Sequence, residues 1–344
     1  MNPKSSFDPM LSEVRQPAAD RSPVQFVPCT ISVVVPVYNS EGTLTALVDR
    51  LQAVLPALAS AYEIILVNDG SRDCSWQVIG SLVAKFPCVR GLDLMRNYGQ
   101  HNALLAGIRA AQYGLVVTLD DDLQNPPEEI SKLIAKLAEG YDVVYGAPAQ
   151  EQHGWWRDLA SQMTKLALQT SMGVDTARKV SAFRVFRTQL RNAFVDYRSP
   201  FLSIDVLLTW STTRFAFVTV RHDPRAAGVS NYTFGKLVRH ALNMITGFST
   251  FPLQAASLIG FGLTLFGMGV LVYVVGRYLL QGTPVPGFPF LASVIAIFSG
   301  AQMFVLGIIG EYLARMHFRM MEKPTYAVRE CLAQEGSANG LNES

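Results

Sequence analysis

Residues 248–276 and 282–310 contain no Asp, Glu, Lys or Arg at all, and this pair of uncharged runs constrains the chain more than any other feature. Each exceeds the ~20 residues that a helix needs to cross a bilayer. Core helices of soluble proteins rarely run so long without a charge, so the pattern predicts two spanning helices, over residues 248–280 and 288–313. The segment between them, Gln281-Gly282-Thr283-Pro284-Val285-Pro286-Gly287, is short and turn-rich, which makes the pair a hairpin. Both flanking parts of the chain then lie on one side of the membrane. Lys236, Arg239 and His240 precede the first span, Arg315, Arg319 and Lys323 follow the second, and only Arg277 sits near the connection. Positive charge collects on cytoplasmic flanks, so the large N-terminal region and residues 314–344 are expected in the cytoplasm and residues 281–287 outside it.

The runs also account for the composition, which is 49% hydrophobic and only 16% charged. Net charge is +2 and no basic segment interleaves with aromatics, so a nucleic-acid partner is excluded. Cys29, Cys74, Cys88 and Cys331 show no C-x-x-C spacing, which argues against a zinc site or a redox pair. Residues 1–28 are polar, have no apolar stretch of the signal-peptide kind, and predict a disordered tail over 1–27.

From residue 28 to 247 the pattern is that of one domain. Ile31-Ser32-Val33-Val34-Val35-Pro36 is a short apolar run ended by proline, after which Leu44, Leu47, Val48, Leu51, Val54 and Leu55 recur at helical spacing. The alternation repeats with strands at 63–67, 89–95, 115–119 and 141–145 and helices at 76–86, 102–111 and 127–139. Strands that are nearly continuous in apolar residues, alternating with helices, predict an α/β fold with a parallel sheet covered on both faces. Beyond residue 147 the pattern loosens. Trp155, Trp156, Leu159, Met163, Leu166 and Ala167 recur at helical spacing, as on either a membrane-surface helix or an amphipathic core helix. A further strand is expected at 215–221.

Ligands of such sheets bind beyond the carboxyl ends of the strands, and polar clusters fall there: Tyr38-Asn39, Asn68-Asp69-Gly70-Ser71, Arg96-Asn97-Tyr98-Gly99 and Asp120-Asp121-Asp122-Leu123-Gln124. Three adjacent aspartates after an apolar strand repel one another and need solvent or a cation. Carboxylate and amide oxygens suit Mg²⁺ or Mn²⁺, which share their coordination with phosphate oxygens. Alone, the segment reads equally as the acidic lead-in to a helix begun by Pro126-Pro127-Glu128-Glu129. Asp69 and Arg96-Asn97 on neighbouring strand ends shift the balance toward a nucleotide diphosphate. No G-x-G-x-x-G and no G-x-x-x-x-G-K-[ST] is present, which excludes the common dinucleotide and P-loop classes.

Together with Val35-Pro36-Val37 and with Asn125-Pro126-Pro127-Glu128-Glu129, these clusters give the chain a resemblance to family 2 glycosyltransferases of the GT-A fold. Within that family it resembles the polyprenyl-phosphate group, which includes undecaprenyl-phosphate aminoarabinose and glucosyl transferases and dolichyl-phosphate mannose synthase. The resemblance spans about residues 30–325, including both C-terminal spans. It implies a Rossmann-like GT-A nucleotide-sugar domain followed by a transmembrane hairpin, in a multi-pass protein of a bacterial-type inner membrane.

Carried over residue by residue, the resemblance assigns Pro36, Tyr38, Asp69, Asn97 and Asp120 to the nucleotide. Asp122 and Gln124 become metal ligands, and Asp121 falls at a variable, dispensable position facing solvent. Arg184 and Arg225 would position the incoming phosphate, with Ser230 and Lys236 completing an acceptor-phosphate site. Asn231 stands where the family has a lysine, and the acidic residue usual before Arg184 is missing from Arg178-Lys179-Val180-Ser181. His101 and His222 have no metal spacing and are expected in structural hydrogen bonds, and Glu311 is expected to pair with Arg315.

The implied reaction moves a sugar, from UDP by resemblance, to undecaprenyl phosphate. A phosphate acceptor is already anionic and needs no general base, so a single displacement with inversion is expected. Two alternatives stand beside it. A processive polysaccharide synthase would carry Q-x-x-R-W, which is absent; a non-catalytic nucleotide-binding scaffold would keep the fold without transfer. Gly260, Gly262, Gly267 and Gly269 could pack spans together in a homo-oligomer.

Overall fold

A computed structural model describes residues 29–148, 180–198, 202–223, 251–281, 287–321 and 323–334. The N-terminal part alternates strand and helix as the apolar pattern predicts: β1 (Thr30–Val37), α1 (Leu44–Leu58), β2 (Ala61–Asn68), α2 (Ser75–Lys85), β3 (Val89–Leu94), α3 (Gln100–Ala110) and β4 (Leu115–Thr118). A short 3-10 turn at Pro127–Glu129 leads into α4 (Ile130–Ala138), followed by β5 (Val143–Pro148), β6 (Arg184–Arg187), a second 3-10 segment at Thr188–Phe194, α5 (Ile204–Ser211) and β7 (Phe215–Val220).

Alternate residues along the central strands enter two separate cores, as the two-residue strand period requires. Val34, Ile65, Val67 and Leu92 pack with Leu104, Leu105 and Ile108 of α3 and with Leu207 of α5. Val33, Val35, Ile64 and Leu66 pack with Leu47 and Leu51 of α1, Ile79 of α2 and Leu133 of α4. Each such side chain contributes about 1.5–3 kcal/mol by leaving water. The α3 face is close enough that a Cβ at Gly107 would collide with Val34, so glycine there sets the spacing of helix and sheet.

The strand order is β7-β5-β6-β4-β1-β2-β3-β8, where β8 is Val328–Leu332. The expectation of a parallel sheet needs correction at two places. β6 runs antiparallel to both β4 and β5, and β8 runs antiparallel to β3. Antiparallel neighbours need no crossover of the kind that parallel pairing requires.

Two long helices follow, α6 (Phe251–Gln281) and α7 (Phe288–Met320). Their windows Leu253–Leu280 and Ile297–Ala314, with mean hydropathy 2.2 and 1.4, are long and apolar enough to cross a membrane and are not covered by protein. Leu279, Leu280 and Met303 are 75, 87 and 71% exposed. The helices touch where a Cβ on Gly267 would lie 3.0 Å from the Phe298 ring. Within the cytoplasmic tail expected over 314–344, α7 continues to Met320 and the chain then returns to the sheet as β8; residues 335–344 lie outside the described residues. The helix expected around Trp155 and Trp156 lies outside the described residues.

Candidate active site

The loops that leave the carboxyl ends of β1, β2, β3 and β4 are joined into one surface by bonds between side chains and backbone. Between the first two loops, the Asn39 N–H donates to Ser71 Oγ (3.0 Å), the Arg72 N–H to Asn39 Oδ1 (2.8 Å) and the Cys74 N–H to Glu41 (2.8 Å). Asn39 holds a left-handed backbone, φ 54°, which asparagine tolerates better than most residues.

Asp69 connects the second loop to the third. It is 3% exposed, and its two carboxylate oxygens accept the N–H groups of Tyr98 and Gly99 at 2.7 and 2.8 Å. Burial raises its pKa, partly offset by those two bonds. Gly70 makes the approach possible: at φ +65° a Cβ would lie 2.6 Å from the Asn97 nitrogen and 2.7 Å from the Arg96 carbonyl carbon. Asn97 and Arg96 stay exposed, and the Arg96 guanidinium stacks 4.7 Å from the Tyr98 ring.

The acidic segment after β4 is tied into the same surface. Gln100, the first residue of α3, donates through Nε2 to Asp120 Oδ1 at 2.6 Å. Asp121 accepts the Tyr38 N–H at 3.2 Å and the Ser40 hydroxyl. Its pKa is raised by burial, with the Ser40 and Tyr38 bonds opposing and the adjacent Asp122 charge adding to the rise. Asp121 therefore does not face solvent as expected; its carboxylate joins the first loop to the fourth. Leu123 sits at φ 63°, a conformation that bulky residues rarely adopt and that marks strain. It is the pivot of a turn in which the Gln124 N–H donates to Asp122 Oδ1 at 3.1 Å. The Gln124 carbonyl accepts the Asp223 N–H (2.9 Å), so the chain leaving β7 lies against this turn.

Pro36 is buried in β1, below the exposed Tyr38. Arg184 occupies another place than expected. It is 1% exposed on β6, with Nε donating to Thr118 Oγ1 at 3.0 Å and Nη1 bonded to Asp205, which also accepts the Tyr145 hydroxyl. A guanidinium enclosed this way presents no face to an incoming phosphate; it braces Thr118, two residues before Asp120. Arg225, Ser230, Asn231 and Lys236 lie outside the described residues, as does the Arg315 side chain expected beside Glu311. His101 Nδ1 accepts the Ile204 N–H (3.4 Å), and His222 Nδ1 lies 3.4 Å from Asn125 Oδ1.

Among the described residues no three His, Cys, Asp or Glu side chains converge as a closed metal cage. The expected donors, one or two carboxylates and an amide, stand instead on a single turn. That fits a hard divalent cation which takes its remaining ligands from phosphate oxygens and water. Ser40, which holds Asp121, was not singled out from the sequence, and Gln100, which holds Asp120, stood there only within the motif Arg96-Asn97-Tyr98-Gly99-Gln100-His101, with no role assigned. The only hint of Ser40 there is its place next to Asn39.

Glycosyl transferase family 2 matches residues 32–198. The undecaprenyl-phosphate 4-deoxy-4-formamido-L-arabinose transferase of Shewanella sediminis is 34% identical over 310 residues, 89% of this chain and 94% of the relative. That of Pseudomonas aeruginosa is 36% identical over 311 residues, 90% and 92%, and that of Serratia proteamaculans 35% over 317 residues, 91% and 97%. Among solved structures, mannosyl-3-phosphoglycerate synthase from Rubrobacter xylanophilus is 18% identical over 76% of this chain and 79% of its own, with a TM-score of 0.48. With relatives at this identity matched along nearly their whole length, the chain belongs to glycosyltransferase family 2 and, within it, to the polyprenyl-phosphate glycosyltransferases.

Proposed function

We propose that the protein transfers a glycosyl group from a nucleotide diphosphate, UDP in the first instance, to undecaprenyl phosphate at the cytoplasmic face of a bacterial inner membrane, for modification of cell-envelope glycan or lipopolysaccharide. The observation that carries this reading is the joining of four strand-end loops around the aspartate turn, in a domain continuous with an apolar helical hairpin. The relatives' names make 4-deoxy-4-formamido-L-arabinose the first sugar to test.

Pro36, Tyr38, Asp69, Asn97 and Asp120 form the nucleotide pocket, with Asp69 acting by shaping the backbone of 97–99. Asp122 and Gln124 would hold Mg²⁺ or Mn²⁺, which when bound neutralises charge on the departing diphosphate. An oxygen of the lipid phosphate attacks the anomeric carbon as the bond from that carbon to the nucleotide diphosphate breaks on the opposite side, inverting the centre. The acceptor oxygen is already anionic, so no side chain must take a proton from it. Arg225, Ser230 and Lys236 orient that phosphate, since guanidinium and phosphate pair through two parallel charge-assisted bonds. Arg184 acts at one remove, by holding the strand that presents Asp120.

The pairing of β8 with β3 supports a topology in which the end of α7 lies on the same side of the membrane as the catalytic domain. The short connection between α6 and α7 brings the start of α6 to that side too, where a long-chain phosphate can present its head group while its tail stays in lipid. Purified full-length protein with Mg²⁺ or Mn²⁺, undecaprenyl phosphate and a panel of nucleotide-sugars tests the proposal. Glycosylated lipid from one sugar is the expected product. Nucleotide binding without glycosylated lipid from any of them would instead establish the scaffold reading.

A further inference from the structure

The strand that follows the second apolar helix reaches the nucleotide loops through a line of hydrogen bonds. β8 pairs with β3 so that Asp93 faces Glu330 while Leu94 faces Val328. Arg329 is thus the extra residue of a bulge. Bulges re-aim a side chain, and this one turns Arg329 onto β3: Nη1 donates to Asp93 Oδ2 at 3.1 Å and Nη2 to the Met95 carbonyl at 2.8 Å. The Asp93 side chain is 3% exposed, that of Arg329 55%. On its other oxygen Asp93 accepts Asn68 Nδ2 at 2.7 Å. Asn68 in turn accepts the Ser71 N–H at 3.3 Å, and Ser71 Oγ accepts the Asn39 N–H. The Met95 N–H donates to the Ala327 carbonyl at 2.9 Å, which fixes the start of the third loop to the same strand.

The arrangement has a direction. Asp93 and Asn68 are both buried, and each needs its partners in place because an unsatisfied buried polar group is costly. Asn68 immediately precedes Asp69, and Met95 immediately precedes Arg96, so Arg329 grips the roots of two of the four loops. We propose that Arg329 is a positioning residue for nucleotide-sugar binding. Through Asp93 and Asn68 it sets the Asn68–Ser71 turn, and through Met95 it sets the 96–99 loop, so the segment after the membrane hairpin completes the nucleotide site. The proposal rests on the assignment of these loops to the nucleotide.

The experiment uses the full-length protein and compares Arg329→Ala, Arg329→Lys and, as a reference for the loop itself, Asp69→Ala. Nucleotide affinity by titration and KM for both substrates are the readouts. Arg329→Ala should weaken nucleotide binding and raise the nucleotide-sugar KM about tenfold, the scale of one lost charge-assisted bond, with the lipid KM within about twofold of wild type. Arg329→Lys keeps a cation for Asp93 but loses the second bond, and should recover most of the loss. A double variant with Asp93→Asn should be no worse than Arg329→Ala, because both break one connection. Unchanged nucleotide binding in Arg329→Ala, or an equal loss for both substrates, overturns the proposal. If Arg329→Ala does not fold, an unchanged nucleotide-sugar KM in Arg329→Lys overturns it, and a rise of about twofold to threefold confined to that substrate supports it. If Asp69→Ala itself leaves nucleotide affinity unaltered, the assignment of the loops fails; if only the Arg329 variants do, the relay alone fails.

Discussion

The carboxylate of Asp121 accepts the backbone N–H of Tyr38 at 3.2 Å, across 83 residues of chain. With the Ser40 hydroxyl on the same oxygen, this bond sets the separation between the first strand-end loop and the aspartate turn. Of the three aspartates, Asp122 remains the proposed metal ligand, and Asp121 gains a structural task beside it.

The two should therefore fail differently. Asp122→Ala should lower kcat by about 100-fold or more, since Lewis-acid stabilisation of the leaving group is worth several kcal/mol. Asp121→Ala should mainly raise the nucleotide-sugar KM, by about threefold to tenfold, as expected from one or two lost bonds to a charged group. Steady-state kinetics separate the cases, and equal activity of Asp122→Ala and wild type would sink the metal assignment.

Gly70 is the tightest point of the site. Gly70→Ala places a methyl group against the backbone of Arg96 and Asn97 at φ +65°, and should destabilise the protein by about 1–3 kcal/mol. Nucleotide affinity should fall with it, because the contact that moves lies between two loops proposed to hold the nucleotide. A lowered Tm with unaltered affinity would place the strain elsewhere.

At the opposite end of the sheet, Arg90 Nη1 pairs with Glu63 at 2.6 Å, and both side chains are within 5% of full burial. Glu63 also accepts the Ser32 hydroxyl and the Gln112 N–H, each at 2.7 Å. Arg90→Ala leaves a buried carboxylate short of its cation and should cost about 3–5 kcal/mol. Thermal melts should report that loss while KM for both substrates stays unchanged in the protein that remains folded.

The parts legible in the sequence were those set by local pattern. Strands buried on both faces must be continuously apolar, so β1 to β4 and their helices stand within a few residues of where the pattern puts them. β6 was not legible: Arg-Val-Phe-Arg opens with an arginine that is tolerated in the interior only because Asp205, 21 residues on, meets it. β8, Val-Arg-Glu-Cys-Leu, is mostly exposed at a sheet edge and needs no apolar alternation. The motif residues did gather at the strand ends, but which aspartate braces the loops depends on Ser40 and Tyr38, more than 80 residues away, and no spacing rule reports that.

Arg50 binds Glu128 through both nitrogens Nε and Nη2, at 3.0 and 2.6 Å, fastening α1 to the turn just after the aspartates. Chiefly through that bond, the Glu128 pKa is lowered from its ordinary 4.5. A carboxylate with a depressed folded pKa stabilises the fold above its unfolded pKa and loses that contribution as pH falls through the folded value. Glu128→Gln should therefore melt below wild type at neutral pH, and the gap should close on acidification below about pH 4.5. A gap independent of pH would show that the pair contributes through packing rather than charge.

The return of the chain to the sheet as β8 makes membrane topology testable with the protein's own cysteines. Cys74 and Cys331 are exposed on the catalytic domain, one before the apolar helices and one after them, and in the proposed pair of antiparallel spans both share a compartment. In the proposed orientation, which the flanking basic residues favour, that compartment is the cytoplasm. A membrane-impermeant maleimide should therefore leave Cys74 and Cys331 unlabelled in intact spheroplasts and label them once the membrane is opened. A cysteine introduced by Thr283→Cys, between α6 and α7, should behave in the opposite way and label without permeabilisation. Labelling of Cys331 alone in intact spheroplasts would mean that the segment after α7 emerges on the far side. That could not be reconciled with β8 pairing to β3 of the same chain, so the result would overturn the hairpin and the strand together.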